Sequence, residues 1–351
     1  MSTSSGRATV RVIGDEQDAA QAWQRVANGL PQSTLAHAPE WRTVIRQAYG
    51  HEPLYLVAED EDGRGGVLPA FLVRRPVVGS VAVSMPFLDA GGPCAGSAAL
   101  AHALVQRLLE EASRMNAAAV DIRCTERLSL ESRPLEHKVN MSLALPADPD
   151  RLWKQFDGSV RNQIRKAQRS GLSVEFGNAE KLDDFHAIFA ARMHDLGSPV
   201  HSKRFFDAVF DGFGHRARVA LIRKGATPVG GLVALTRNDV ITVPWASCLP
   251  EYFSLCSNML LYWEMIRAAC LEGYGRFDFG RSTRDSGTYR FKRQWGALES
   301  PLYWYSITKD RGSDRAARES ATAACLVGLW KRLPLSVTRR LGPHVRRYLI
   351  Q

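Results

Sequence analysis

The chain lacks the features that announce a secreted, membrane-spanning or metal-dependent protein. Its six cysteines, Cys94, Cys124, Cys248, Cys256, Cys270 and Cys325, include no C-x-x-C pair and no framework spacing. That excludes a disulfide scaffold and a thiolate metal cage, and leaves reduced, buried thiols as the expectation. The N-terminal MSTSSGRATVRV has no charged segment leading into an apolar one, so no secretory leader is expected. Apolar runs such as AACLVGLW fall well short of the roughly 20 residues that span a bilayer as a helix. His194, His201, His215 and Asp195 do not take metal-ligand spacing. A cytoplasmic, soluble protein with no metal and no tightly bound cofactor is expected.

What is present is an ordinary globular composition: 351 residues, 45% hydrophobic and 23% charged. That length exceeds the size at which one core stops growing, so two domains are expected. The formal charge of +10 is uneven. From Lys309 to Gln351 there are ten Lys/Arg against three Asp/Glu, a basic tail on a nearly balanced body. Such a tail is either a solvated helix or a contact for anionic lipid or RNA.

Two halves read alike. In the first, ATVRVI, a helix pair near 17–29 and 39–48, and the strands PLYLVAE, GGVLPAFLVRRP and GSVAVSMPFL lead to a helix near 97–116. AAVDIRC and VNMSLAL then close that half near residue 146. In the second, LSVEFG, helices near 179–195 and 202–212, and three strands (RARVALIRK, TPVGGLVALTRN, DVITVPWASC) precede the helix SNMLLYWEMIRAACLEGYG. RFDFG, a short helix and PLYWYSI follow. The repeated order suggests a duplicated domain, with the last strand and tail partly returning to the first half. The joint, DPDRLWKQFDGSVRNQIRKAQRSGLSV, reads as two helices broken at Gly158–Ser159. The expected division is 1–146, 147–308 and a basic tail, 309–351.

One stretch does not read as an ordinary element boundary. In DFGRSTRDSGTYRFKRQWGA, residues 278–297, a strand signal enters a Ser/Thr/Gly turn, and then cations alternate with aromatics. Together with VRNQIRKAQRSGLSVEFG, VPWASC and SNMLLYWEMIRAACLEGYGRFDFGRS, it resembles the FemAB-related proteins associated with exosortase/PEP-CTERM polysaccharide loci. The terminal LWKRLPLSVTRRLGPHVRRYL resembles the tail of the same family. The resemblance runs over most of residues 150–351. It implies an α/β (α+β) fold of two tandem GNAT-like acyltransferase domains, each a mixed, mostly antiparallel sheet flanked by helices. It also implies N-acyl or aminoacyl transfer, as in the Fem peptidyltransferases that build peptidoglycan cross-bridges.

In such a domain the RFDFG strand splays from VITVPWASC, and the reacting groups meet in the gap. Asp278 lies between Phe277 and Phe279 and points away from both rings. It either takes a proton from an attacking amine or pairs with Arg281. Arg281, Arg290, Lys292 and Arg293 are forked or point-charge donors suited to phosphate. The resemblance places Phe291 and Lys292 at the active site, with the lysine opposing negative charge. Tyr289 shares a helical face with Arg293. Arg161 and Arg165 belong to a second basic cluster, either a solvated face or a wall of the acceptor site. Trp245 and Tyr262 line a cleft or pack in a core. Cys248 follows a strand but has no assigned base.

An R/Q-x-x-G-x-G/A phosphate loop, usual in acetyl-CoA-dependent GNAT domains, is missing. The corresponding connection, LPEYFSLCSNMLL, has no glycine, though Ser257 or Asn258 can cap the next helix. The first half's GGVLPA and DAGGPCAG are glycine-rich, which turns explain equally well. The donor is therefore left open between aminoacyl-tRNA and acyl-CoA.

The leading reading is transfer to an amine of a lipid-linked or soluble cell-envelope sugar or peptide precursor, in exopolysaccharide or peptidoglycan metabolism. The alternative is an inactive GNAT-like module that binds acidic glycan or scaffolds a polysaccharide-assembly complex. A nucleic-acid-binding reading rests on charge alone. In the tail, Pro334 and Pro343 predict short helical pieces. Leu341, Val345 and Leu349 form a stripe beside arginines. It either docks on the first domain or gives residues 331–351 a peripheral contact with an anionic membrane.

Overall fold

The computed structural model describes residues 8–14, 17–76, 79–308 and 327–350. These form two compact units. One takes the chain up to Val139, then Ser300 onward through the last strand, and Ile350. The other takes Asn140–Glu299 and the terminal segment up to Leu349. The part of the expected tail from 309 to 326, with Cys325, lies outside the described residues.

The first unit is a sheet of β1 (Thr9–Val12), β2 (Glu52–Glu59), β3 (Gly65–Arg75), β4 (Gly79–Ser84), β5 (Cys94–Ala95), β6 (Ala119–Cys124) and a late strand, Tyr303–Thr308. Its order is β1-β2-β3-β4-β6-late strand, with β5 on β3. Only β4 and β6 run parallel, through Val81↔Ala119 to Val83↔Asp121. The apolar run of β3 is buried on both faces, as a central strand between helical layers must be. Pro69 is tolerated there because β3 pairs with β5 at Gly66–Val67 and with β4 from Ala70 onward, so the missing N–H falls between two partners. Helix α3 (Ala98–Arg114) is capped by Ser97 and covers one face with Leu100, Leu104, Val105 and Leu108. Helices α1 (Gln17–Asn28) and α2 (Glu40–Tyr49) precede β2.

The second unit begins with β7 (Lys138–Ala144), then α4 (Pro149–Gln155) and α5 (Gly158–Arg169). It continues with β8 (Leu172–Gly177), α6 (Leu182–Leu196), α7 (Lys203–Phe213), β9 (Ala217–Lys224), β10 (Thr227–Arg237) and β11 (Val240–Cys248). Helix α8 (Ser257–Leu271), β12 (Arg276–Thr283), α9 (Gly287–Arg293) and β13 (Leu298–Pro301) complete it. The sheet order is β13-β7-β12-β11-β10-β9-β8. The break between α4 and α5 falls at Phe156–Asp157, and Gly158 already begins the second helix.

One strand changes place relative to the sequence reading. VNMSLAL, expected to close the first half, is β7 and pairs in the second sheet. YWYSIT, counted within residues 147–308 but expected to return partly to the first half, is β14 (Tyr303–Thr308) and does so, lying antiparallel to β6 in the first sheet. Each occupies the slot beside its sheet's parallel strand. A period-2 pattern tells which face of a strand is buried but not which sheet receives it. The division between units accordingly falls at 139/140 rather than 146/147.

The terminal segment also departs from expectation. Leu335–Arg346 is one helix with Pro343 inside it. Gly342 precedes the proline and has no Cβ to meet the pyrrolidine ring, so the helical conformation survives at that step. A Cβ there would stand 3.1 Å from Val200. The helix lies on α6 and the α6–α7 connection through buried Thr338 and Gly342. His194 Nε2 contacts the Leu333 carbonyl at 2.8 Å, and Arg346 Nε donates to His201 Nε2 at 3.1 Å. Burial holds the His201 imidazole well below the usual histidine range, and Arg346 adds to the effect. It is thus a neutral acceptor for that arginine.

Candidate active site in the second unit

The second sheet opens between its two parallel strands. β11 and β12 pair only through Val240↔Arg276, Ile241↔Phe277 and Thr242↔Asp278, although β11 runs on to Cys248 and β12 to Thr283. Both strands carry a reason to part. Against β10, β11 advances three residues from Thr242 to Trp245 while β10 advances two from Leu235 to Val233, a bulge containing Pro244. On β12, Gly280 sits at φ 71°, a left-handed turn that a side chain would resist.

Asp278 stands at the last paired rung, where the opening begins. Its Oδ1 accepts from Asn140 Nδ2 of β7 at 3.0 Å and from the Gly280 N–H at 2.8 Å. Lys292, on α9, reaches the other side of the same glycine. Its buried ammonium donates to the Gly280 carbonyl at 2.9 Å and the Arg281 carbonyl at 2.7 Å. The two residues proposed from the sequence as catalytic therefore meet at Gly280, one on its N–H and one on its C=O.

The rest of α9 divides into a packed face and a solvent face. Ser286 caps it, accepting from the Tyr289 N–H at 3.2 Å. The Phe291 ring lies 5.1 Å from Tyr262, which stacks on Phe279 at 5.7 Å. Arg281 is half-buried on the diverging part of β12. Arg290 is exposed and donates to the Asp285 carbonyl at 2.8 Å, closing the turn before the helix. A hydrogen bond with Glu299 raises the pKa of the Tyr289 hydroxyl at the surface. Tyr289 and Arg290 thus shape the loop.

Helix α5 packs on α8 through Val160, Ile164 and Ala167. Arg161 is half-buried, with an enclosed Nε that has no hydrogen-bond partner among the described residues. The Arg165 guanidinium lies over the Trp153 ring, 5.5 Å from its centre, a cation–π contact rather than a free anion ligand. Phe156, between α4 and α5, sits 5.3 Å from Trp295 just beyond α9. Rings therefore run from the α4–α5 turn through Trp295, Phe291 and Tyr262 to β12.

Trp245 does not line the opening. It is buried edge-on against Phe205 at 5.4 Å and Phe206 at 5.2 Å, in the core between β11 and α7. The substrate assignment made from the sequence gives way to packing. Burial also pushes the Cys248 thiol up to about 12, only partly offset by Ser257, which removes it as a nucleophile near neutrality. The α8 cap is Cys256 in a left-handed conformation, with no side-chain cap bond; neither Ser257 nor Asn258 takes that place.

Two residues missed by the sequence reading flank the opening. Ser247, on β11, and Ser282, on β12, lie beyond the last paired rung. Both are buried, and their hydroxyls have no hydrogen-bond partner among the described residues. Buried hydroxyls are nearly always satisfied, so this pair on two parting strands has room for a further partner, water or a ligand's polar group. No residue pattern signals this; only the register does. Among the described residues, no group of His, Cys, Asp and Glu is placed to hold a metal ion.

The first unit has a separate cavity of about 180 Å³ beside the start of α3, lined by Gln32, His37, Gly92, Cys94, Ser97 and Glu126 among others. It is smaller than the roughly 300 Å³ at which small-molecule pockets begin. DAGGPCAG forms one wall. A Cβ on Gly92 would lie 2.6 Å from Cys124 Sγ, so close approach to β6 accounts for that glycine.

Residues 154–293 match the family described as acetyltransferase (GNAT) domain. No curated protein sequence matches the chain. Among solved structures it is similar to FemX, with 13% identity over 85% of this chain and 97% of that one, TM-score 0.63. It is also similar to a C-terminal (DUF2156) domain from Agrobacterium fabrum described as lysylphosphatidylglycerol synthetase, with 14% identity over 86% and 96%, TM-score 0.56. A tandem GNAT protein from the clavulanic acid biosynthesis pathway shares 11% identity over 88% of this chain and 100% of its own, TM-score 0.54. The chain therefore carries the GNAT fold in tandem, two mixed sheets each flanked by helices.

Proposed function

We propose that the protein is an N-acyl or aminoacyl transferase acting on an amine of a cell-envelope sugar or peptide precursor. One observation carries the reading: the parallel strands part directly after Asp278, leaving a carboxylate at the apex and, on both diverging arms, serine hydroxyls with no hydrogen-bond partner among the described residues. The similarity to FemX and to the protein described as lysylphosphatidylglycerol synthetase supports aminoacyl transfer in envelope synthesis. The link to exopolysaccharide rests on the sequence resemblance alone.

In this mechanism the donor's carbonyl lies in the opening and the acceptor amine attacks its carbon. A C–N bond forms, the donor's C–O or C–S bond breaks, and the amine's proton passes to Asp278 and on to the leaving group. Lys292 holds the Gly280–Arg281 backbone so that the arm of β12 keeps its place, and Arg281 and Arg161 face the donor's phosphate. Position and charge supply most of the acceleration.

The test is incubation of the purified protein with acyl-CoAs and aminoacyl-tRNAs, each offered amino-sugar and peptide acceptors, with mass-spectrometric detection. The expected result is one acylated acceptor that requires both substrates. Tight binding of acidic glycan without turnover from any donor would favour the non-catalytic module instead.

A further inference from the structure

The terminal segment is fastened to the second unit, yet it shows solvent an apolar row. Thr338 and Gly342 are buried against α6 and Val200, and contacts at His194 and His201 hold both ends of the segment. On the outward side Leu341 is 46% exposed, Val345 38% and Leu349 42%. Val337, Leu341 and Val345 follow at intervals of four along the helix and so share one strip of its surface. Arg340 and His344 form the adjacent strip. Ile350, which belongs to the first unit, is buried among Val73, Val81, Val83 and Ala119.

A second exposed apolar group lies nearby on the same unit. Leu196, at the end of α6, and Leu329 are largely exposed, and Val327 lies against Gly197 beside Lys331. Between residues 331 and 351 there are six Lys/Arg and no Asp or Glu. The acid nearest in sequence on α6, Asp195, is engaged by Arg192 at 3.6 Å. A surface of leucines and valines on a segment whose charged residues from 331 to 351 are all basic complements an anionic bilayer. Apolar groups suit the boundary between headgroups and acyl chains, while arginines suit the headgroup phosphates. A nucleic acid would use the cations and have no need of the leucines.

We propose that this face, centred on Leu341 and Val345 with Arg340 on the adjacent strip and Arg332 in the same basic segment, holds the protein on anionic membrane surfaces. The inference is independent of the reaction assigned to the second unit, and transfer to a soluble acceptor would continue without it.

The experiment is co-sedimentation of the full-length protein with vesicles of equal parts phosphatidylglycerol and phosphatidylcholine, and with phosphatidylcholine alone. Total tRNA is added in a third arm. Two variants are compared with the wild type: Leu341→Ser/Val345→Ser and Arg332→Glu/Arg340→Glu. Melting temperatures verify that both fold, since the buried Thr338 and Gly342 are untouched. Binding to the anionic vesicles only is expected. Partitioning should fall about tenfold or more in the serine variant and by at least roughly 30-fold in the glutamate variant. The proposal is overturned if the wild type ignores anionic vesicles or if both variants bind as it does. It is equally overturned if tRNA binds, the glutamate variant loses that binding, and the serine variant keeps both tRNA and vesicle binding unchanged; the face would then be a polyanion site.

Discussion

Replacing Lys292 with methionine is expected to cost about 3 kcal/mol of stability and to reduce transfer more than a hundredfold. The ammonium is buried, and two of its donors go to the Gly280 and Arg281 carbonyls. Methionine fills similar space but leaves both carbonyls without that donor, and hydrogen bonds to a charged group are each worth roughly 1.5–3 kcal/mol. The sequence resemblance set this lysine against negative charge, which predicts lost activity on an intact fold. The geometry gives it a backbone to hold as well, so stability and activity should fall together. Urea denaturation and steady-state kinetics on the same preparation check this. A methionine variant as stable as the wild type would mean that the carbonyl contacts contribute little.

Asp278→Asn should act differently, lowering kcat by about a hundredfold or more with KM and melting temperature nearly unchanged. Asparagine keeps an oxygen to accept from Asn140 and from the Gly280 N–H, so the apex of the opening remains tied. What it loses is a site for the proton leaving the amine. General-base contributions of this kind are typically worth 10²–10⁴ in rate, about 3–5 kcal/mol in barrier. Asp278→Ala is the companion. It removes the base and the tie together, so it should lose stability where asparagine does not. Equal turnover by the asparagine variant would transfer the proton to water or substrate and leave Asp278 as a structural clamp.

Much of this arrangement is legible in the sequence because it is local. The 3.6-residue spacing of Leu100, Leu104 and Leu108 gives α3, and Ser97 marks its start. The RFDFG run gives β12, and the alternation around Asp278 separates it from its flanking phenylalanines. What could not be read depends on partners distant in the chain. β7 has an alternating texture and nothing in it names the sheet it joins, whereas the late position of β14 after a complete second pattern points back to the first half. Trp245 reads as either a cleft ring or a core residue until Phe205 and Phe206 close around it. Ser247 and Ser282 are inconspicuous among 351 residues, and become informative only when pairing stops at Thr242↔Asp278. Pro343 misleads in the other direction: Gly342, with no Cβ, eases the ring's contact with the preceding residue, and the helix runs through.

Hydrogen exchange with and without a bound donor tests most directly where the reaction takes place. The protein is labelled alone and with whichever acyl-CoA or aminoacyl-tRNA supports transfer, and amide protection is compared segment by segment. The account predicts new protection in residues 244–248 and 279–283, the two parting arms of β11 and β12, with little change around the first unit's cavity at residues 90–98. Protection confined to residues 90–98, with the arms of β11 and β12 unaffected, would contradict it and move the donor site to the first unit.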